Sequence, residues 1–195
     1  MIEIYKSPAS FREKDFEFVW TGQTNRCWRV RFNHTVEDVT REPMEEGQET
    51  YTETVYKCDY ADFYAPFTYA PVSALQIAKD IAIQNITEYD NSEAVNQFYF
   101  GEMPLWLNKD TRVGLMNSTT ITKAAGKEIT TLWFGDNSFT IPCDEAVQML
   151  SALELYALAC YNKTAEHKKA IEEMTSVEDV MSYDFKAGYP EKLHF

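Results

Sequence analysis

The chain is poor in glycine, proline and cysteine. Its 195 residues contain seven glycines and seven prolines, which are too few for a disordered or fibrous chain. Its four cysteines form no Cys-x-x-Cys pair and have no histidine at ligand spacing, so neither a disulfide-stapled domain nor a zinc site is expected. These shortages predict a globular chain that is synthesised in a reducing compartment and has no cofactor and no metal.

Basic residues and long apolar runs are also scarce. The chain has 18 lysines and arginines against 31 aspartates and glutamates, a formal net charge of −13. Nucleic acids and anionic membranes both attract basic surfaces, so no nucleic acid and no membrane is expected as a partner. The first residues, MIEIYKSPASF, lack the basic start and apolar run of a signal peptide. The protein is expected to stay in the cytoplasm, or to leave it by lysis or within a particle.

Motifs of catalytic sites are absent from the sequence. It contains no G-x-S-x-G elbow, P-loop, G-x-G-x-x-G loop, H-E-x-x-H pair or EF-hand loop. The histidines His34, His167 and His194 are scattered, and the charged neighbours of His167 predict a solvent-exposed helix face for it. Carboxylate pairs such as Glu45 and Glu46 are typical of solvated surfaces in so acidic a chain. No catalytic residue is therefore assigned, and the chain is not expected to be an enzyme.

Apolar residues, in contrast, are plentiful. They make up 45% of the chain, and this is enough for a core in one large domain or two small ones. Residues 1–70 are predicted to form a β-rich N-terminal domain. Residues 36–50 are predicted to be an exposed acidic loop, 50–58 the next strand of the same sheet, and 61–71 an aromatic linker. Two alternating runs around a polar turn predict a hairpin with one solvent-exposed face, namely Phe16, Phe18 and Trp20, then Trp28, Val30 and Phe32.

Residues 71–195 are predicted to form an α+β C-terminal domain. Ser73 is placed to cap a helix over 74–89, whose isoleucines and alanines form an apolar stripe. The next predicted elements are short strands at 95–100 and 105–107, a helix at 110–125 that ends at Gly126, and a hairpin of strands at 129–134 and 138–141.

Residues 142–190 predict a helical hairpin that closes this domain. The polar residues 162–164 are expected to end its first helix, with Thr164 capping the second, and 175–178 has the spacing of a capping box for a last short helix. The fold class is therefore predicted as α+β, with a β-rich N-terminal part and then a mixed segment that ends in this antiparallel hairpin. The first helix carries one apolar stripe, made of Ala146, Leu150, Leu153, Ala157 and Cys160.

Two groups of residues are candidates for interaction. Flat rings give contact area at small entropic cost, so a crowd of aromatics is typical of carbohydrate-binding or protein-binding surfaces, although ordinary packing under a loop has the same composition. Leu150 and Leu153 pack either inside the protomer or against a neighbour. Trp106 and Trp133 are predicted to lie in strands and in the core. The crowded aromatics are Tyr60, Phe63, Tyr64, Phe67 and Tyr69.

Between about residue 81 and residue 195 the chain combines a Trp-Leu and Thr-Arg turn, a LELYA helix and a closing GYP. These motifs lie in the stretches EYDNSEAVNQFYFGEMPLWLNKDTRVGLMNS, AAGKEITTLWF, LSALELYALACYNKTAEHKKAI and YDFKAGYP. With this specific combination, the chain resembles an uncharacterised domain family of tailed bacteriophages and prophages. Members of that family are commonly associated with tails or tail fibres.

The resemblance implies a place in a phage particle and carries no catalytic residue. It predicts a non-enzymatic structural or adaptor protein, associated with the tail or its fibres, that acts through protein–protein contacts. Its expected partners are other virion proteins, and since virion parts are usually symmetric, we expect a homo-oligomer or a part of a symmetric assembly. The expected location is the virion, after synthesis in the host cytoplasm.

Two other functions stay open on the sequence. The chain is alternatively a cytoplasmic chaperone of tail-fibre assembly, absent from the finished particle. More remotely, it is a glycan-binding or glycan-cleaving module built on the aromatic residues. A cleaving module requires a cleft with two facing carboxylates.

Overall fold

The computed structural model describes residues 5–19, 26–41 and 49–195. Strands and helices both occur, with the strands concentrated near the N-terminus, so the predicted α+β class is confirmed. The strands are β1 (Tyr5–Ala9), β2 (Phe16–Val19), β3 (Arg26–Arg41), β4 (Tyr51–Ala65), β5 (Phe98–Phe100), β6 (Met103–Leu105), β7 (Ile129–Phe134) and β8 (Asn137–Pro142). The helices are α1 (Ala74–Asp90), α2 (Glu93–Asn96), α3 (Lys109–Ala124), α4 (Cys143–Glu173) and α5 (Val177–Ser182).

The chain divides into two compact units. The first unit comprises Met1–Asn85 and Ala170–Tyr183, and the second comprises Ile86–Lys169 and Asp184–Phe195. The predicted boundary between residues 70 and 71 falls inside the first unit.

The first unit contains a four-stranded antiparallel sheet in the order β1-β4-β3-β2. The predicted hairpin of β2 and β3 is confirmed, with Phe16 opposite Val30 and Phe18 opposite Trp28. Trp20 and residues 21–25 of the predicted turn lie outside the described residues, and Arg26, the last residue of that turn, begins β3. Strands β3 and β4 pair along their whole length, interrupted by an irregularity between Phe32 and Thr35.

Two predictions about this sheet were wrong. The acidic residues 36–41 continue β3, and residues 61–65 continue β4, where a loop and a linker had been expected. Partners on the opposite strand explain how an acidic segment remains a strand. Lys57 forms an ion pair with Glu37, and the Thr54 hydroxyl donates to Asp38 at 2.8 Å. Such cross-strand pairs stabilise a sheet, but they cannot be predicted from the sequence of one segment alone. The rest of the predicted loop, residues 42–48, lies outside the described part.

One face of the sheet packs on α1 and α5. The buried cluster joins Val30, Phe32 and Ala61 of the sheet to Ile77 and Ile81 of α1. The predicted cap of α1 is confirmed, because the Gln76 amide donates to Ser73 Oγ at 3.1 Å. The predicted capping box at 175–178 was displaced by one residue.

The displaced cap belongs to α5. The Asp179 amide donates to Ser176 Oγ at 3.0 Å, so Ser176 and not Thr175 is the N-cap of the helix. Val177 and Met181 of α5 then pack against the cluster between the sheet and α1.

The other face of the sheet carries ion pairs. It was predicted to be exposed, yet the Arg31 side chain on that face is buried at 4% relative accessibility. Arg31 donates to Glu13 at 3.0 Å, to Glu17 at 2.5 Å and to the Lys14 carbonyl at 3.1 Å. Residues that precede β2 therefore cover this face and replace the water that the arginine would otherwise bind.

The core of the second unit gathers buried residues from β5, from the segment after β6, from β7 and from α4. The short strands are shifted from their predicted limits. Val95 lies in α2, which the Ser92 side chain caps, so β5 begins later than predicted, whereas β6 begins earlier and ends before Leu107. Phe98 pairs with Leu105 across these two strands. The predicted helix α3 and the predicted hairpin of β7 and β8 are confirmed. The buried cluster consists of Phe98, Leu107, Leu132, Phe134, Ala146, Met149, Leu150 and Leu153.

The predicted helical hairpin was wrong, because α4 is one helix of 31 residues. The segment 162–164 contains neither glycine nor proline, and each of its residues costs a helix only a few tenths of a kcal/mol. Thr164 gains side-chain partners by staying helical. Its hydroxyl donates to Asp90 at 2.7 Å and lies 2.9 Å from the Tyr189 hydroxyl. Tertiary contacts therefore outweigh the weak local signal for a break.

His167 was also wrongly predicted, since it is buried and not on a solvent-exposed face. Its Nε2 lies 3.0 Å from the Ala187 carbonyl, and its ring lies 5.5 Å from the ring of Tyr189. The residues from 184 onward therefore cover this side of α4. Burial lowers the pKa of His167 below its ordinary value of 6.5.

The buried histidine predicts a loss of stability in acid. As the pH falls through about 6.5, the unfolded chain binds a proton that the folded chain refuses, so the free energy of unfolding decreases by at most about 1.4 kcal/mol per pH unit. Above that pH neither state is protonated and the term vanishes. In urea unfolding at about pH 5.5 and about pH 7.5, the wild type should lose more stability on acidification than His167→Gln. Equal losses would contradict the assignment.

Candidate functional site

A groove of about 610 Å³ opens on the second unit. Its lining comes from the end of α1, from α2, from the segment between β6 and α3, and from α3 and α4. Its volume lies within the range of about 300–1,000 Å³ that is usual for ligand sites.

An ion pair between α3 and α4 lies in the groove lining. Arg112 Nε donates to Glu154 Oε1 at 2.9 Å, and Arg112 Nη1 donates to the Leu107 carbonyl at 2.7 Å. These two bonds fix the guanidinium plane, and the Arg112 side chain is only 12% exposed. The pair thus holds both helices and the preceding segment in one geometry. Glu154 retains a second carboxylate oxygen that has no hydrogen bond from the described residues.

The segment before α3 presents Trp106 to the groove. Leu107 is buried in the core of the second unit, and its neighbours Trp106 and Asn108 are exposed. Trp106 is 50% exposed and lies outside any strand, so its predicted place in a core strand was wrong. Asn108 caps α3 by accepting a bond from the Thr111 amide at 2.8 Å on its Oδ1. The cap uses the oxygen of this side chain and leaves its amide nitrogen for other partners.

Amide side chains from the end of α1 and from α2 form another part of the lining. Asn91 Nδ2 donates to the Thr87 carbonyl at 2.9 Å, and Asn96 Nδ2 donates to the Asp90 carbonyl. Each amide is therefore held through its nitrogen and keeps its oxygen as a hydrogen-bond acceptor. The Asp90 carboxylate itself accepts the bond from Thr164 described above.

Apart from Glu154, the α4 side of the groove is apolar. Leu158 and Tyr161 are exposed, at 54% and 67%, while Tyr156 and Cys160 on the same helix are buried. Helix α4 is therefore apolar on two faces, one in the core and one on the surface. The surface face supplies the groove lining with the aromatic ring of Tyr161, in addition to the ion pair of Arg112 and Glu154.

The charges in the groove balance. Asp90 and Glu154 contribute two negative charges, and Lys109 and Arg112 contribute two positive ones. The local sum is zero, in a chain whose net charge is −13. Both carboxylates already accept a hydrogen bond from a protein side chain. They are arranged to accept further hydrogen bonds from a ligand, since an ionised carboxylate has several acceptor sites.

The predicted aromatic group is not one surface. Residues of β4 alternate between the two faces of the sheet, so Phe63 packs in the core, 5.3 Å from the ring of Tyr69. Tyr60 lies on the opposite face, 4.0 Å from the Arg29 guanidinium. Only Tyr64 and Phe67 are exposed. Burial, followed by its hydrogen bond to Asp80, raises the pKa of Tyr69, as expected for a core hydroxyl.

Leu150 and Leu153, the other predicted interaction residues, lie within the core of the second unit. Both side chains are buried in the cluster with Phe98 and Phe134. The apolar stripe of α4 that was read from the sequence is therefore the inward one. The outward stripe, Leu155, Leu158 and Tyr161, was missed, although the run LELYALACY has apolar residues on every side, which is a signal that a second face needs a partner.

The cysteines are suited to packing and not to nucleophilic chemistry. All four are unpaired and buried. Burial raises the pKa of Cys27 to about 11 and raises the pKa values of Cys58 and Cys160, so these thiols stay neutral.

No metal site and no membrane span is found in the described part of the chain. Among residues 5–19, 26–41 and 49–195, no three His, Cys, Asp or Glu side chains converge to hold a metal ion. None of the helices in these ranges has the length and apolarity that crossing a bilayer requires.

Comparison of the chain with protein-family models, with curated proteins and with solved structures gives no match.

Proposed function

We propose that the chain is a non-enzymatic structural or adaptor protein of a bacteriophage particle, associated with the tail or its fibres. It acts through contacts with other virion proteins, in the virion, after synthesis in the host cytoplasm. The resemblance of residues 81–195 to phage proteins is the reason for proposing that the chain belongs to a phage particle. The observation that carries the contact function is an apolar surface on the hairpin of β7 and β8.

This surface follows from the alternation of β7. Leu132 and Phe134 are buried in the core, whereas Ile129 and Trp133 point to the other side and are each 59% exposed. Thr131 lies between them, and its hydroxyl is 3.0 Å from that of Thr140 on β8. We call Ile129, Thr131, Trp133 and Thr140 the hairpin face. Trp133 was predicted to lie in the core, and its exposure corrects that prediction.

The hairpin face has the chemistry of a protein interface. Tryptophan is enriched among the residues that dominate binding energy, and exposed apolar area of this kind marks contact sites. Among the residues that the structure describes, the two strands pair only with each other, which leaves backbone groups unpaired along both outer edges. An exposed edge is a template for pairing with a strand of another chain. A symmetric neighbour or another virion protein can therefore bind through side chains and backbone together.

The test is the composition of purified particles of the phage that encodes the chain. Quantitative mass spectrometry should find the wild-type chain at a fixed stoichiometry with the tail proteins. Trp133→Ser should reduce its incorporation by about thirtyfold, because truncating a central interface tryptophan costs about 2 kcal/mol or more. The matched control is Trp106→Ser, a tryptophan of similar exposure on a different surface, which should be incorporated normally.

Two outcomes count against the proposal. Absence of the chain from the particle, together with its recovery on an unassembled tail-fibre protein, would identify an assembly chaperone instead. Normal incorporation of Trp133→Ser would mean that the hairpin face is not the contact. The remote alternative, a glycan-cleaving module, requires two facing carboxylates in a cleft, whereas Asp90 and Glu154 each accept a hydrogen bond from a protein side chain.

A further inference from the structure

We infer that the groove between α2, α3 and α4 binds a neutral oligosaccharide. This inference goes beyond the particle role, and it rests on residues that the hairpin face does not use. Three independent properties of the groove support it: its exposed rings, its oriented polar groups and its charge balance.

The rings give the groove surfaces on which a sugar can stack. Trp106 and Tyr161 both line it, and at least half of each side chain is exposed. A pyranose has faces made of C–H groups, which pack against an aromatic ring much as an apolar side chain does. Aromatic side chains also present this area with little rotamer entropy to lose. Leu158 adds further apolar surface to the same lining.

Each of these polar side chains has one atom in a hydrogen bond within the protein and another atom available to a ligand. Asn91 and Asn96 are held through their nitrogens and offer carbonyl oxygens, while Asn108 is held through its oxygen and offers its amide nitrogen. Arg112 and Glu154 bond to each other through Nε and Oε1, so Arg112 retains a further nitrogen and Glu154 a further oxygen for a ligand. A sugar hydroxyl both donates and accepts, so a mixture of fixed donors and acceptors matches it. Because the protein has already ordered these groups, binding loses little entropy in orienting them.

The balance of charge favours a neutral ligand. A phosphate or carboxylate that binds Arg112 is repelled by the Glu154 carboxylate beside it, and an ammonium group that binds Glu154 is repelled by the Arg112 guanidinium. A neutral polyol meets neither repulsion, and it adds hydrogen bonds to the atoms that the pair leaves available. The volume of about 610 Å³ accommodates a short stretch of a longer chain.

The experiment uses a printed array of defined neutral and anionic glycans, followed by calorimetry with the neutral glycan that binds most strongly. The full chain should bind neutral members of the array, and its dissociation constant should be unchanged when the salt concentration is raised well above physiological ionic strength. Trp106→Ala should weaken binding by about tenfold or more. Trp133→Ala is the control, because it removes an equally exposed indole from the hairpin face, and it should bind as the wild type does.

The outcomes are separable. No binding to any neutral glycan on the array overturns the inference, and so does binding confined to anionic glycans. Binding that survives Trp106→Ala places the site elsewhere and overturns it as well. Circular dichroism and thermal unfolding check that both variants are folded, which the surface position of both tryptophans leads us to expect. Loss of binding in Trp106→Ala alone, with normal particle incorporation, supports the groove and the hairpin face as separate sites.

Discussion

Replacing Leu150 with alanine is expected to lower the free energy of unfolding by about 3–5 kcal/mol. The Leu150 side chain is fully buried, at 0% relative accessibility, among Phe98, Leu132 and Leu153. Truncation removes apolar contacts and leaves a cavity that these large neighbours cannot fill without moving. Leu150→Asp should prevent folding of the second unit altogether, because a carboxylate there has no partner and no water. Urea unfolding followed by circular dichroism measures both effects.

The matched control lies on the same helix. Leu155 is 69% exposed, so Leu155→Ala should change the free energy of unfolding by no more than about 0.5 kcal/mol. Equal effects of the two substitutions would mean that the inward stripe of α4 is not a core. The comparison also separates two roles that the sequence leaves mixed, since Leu150 is expected to act on stability and Leu155 on surface contacts only.

Elements with strong local chemistry were predictable from the sequence. The hairpin of β7 and β8 turns at Gly135, and α3 is followed by Gly126; both glycines have a positive φ, at 62° and 78°, which other residues rarely adopt. Alternation of apolar residues likewise located β2 and the start of β3. In each case the determining interaction lies within a few residues of the pattern.

Elements whose limits depend on distant partners were not predictable. The acidic end of β3 is a strand because Lys57 and Thr54 of β4 stand beside Glu37 and Asp38. Helix α4 continues through 162–164 because Thr164 bonds to Asp90. A single sequence indicates that such segments have low intrinsic strand or helix propensity, but it does not reveal the tertiary contacts that offset this.

The groove illustrates the same limit more severely. Its residues come from four separated stretches of the chain, and no one stretch contains a motif. Leu107 is buried, whereas Trp106 beside it is exposed. Both neighbours of Trp106 are leucine, so the sequence alone does not indicate which of these apolar side chains faces the core. The aromatic residues that were conspicuous in the sequence are those of β4, where alternation divides them between two faces.

Replacing Arg31 with methionine is expected to lower the free energy of unfolding by about 2–4 kcal/mol. Removing one member of a buried ion pair typically costs about 3–5 kcal/mol, because the opposite charge is left uncompensated. The expected loss is smaller here, since Glu13 and Glu17 are 22% and 39% exposed and water reaches them once the arginine is gone. Methionine keeps much of the length of the side chain, so the change reports charge and hydrogen bonds more than volume.

The control is Arg12→Met. Arg12 also pairs with a carboxylate, that of Asp15 at 2.8 Å, but both side chains are 55% exposed. An exposed pair of this kind contributes less than about 1 kcal/mol, so the control should be nearly silent. If uncompensated charge causes the loss in Arg31→Met, then adding Glu17→Gln should restore part of the stability in that background while destabilising the wild type. A double-mutant cycle in urea measures this coupling, and additive effects would show that Arg31 does not stabilise the sheet through its ion pair with Glu17.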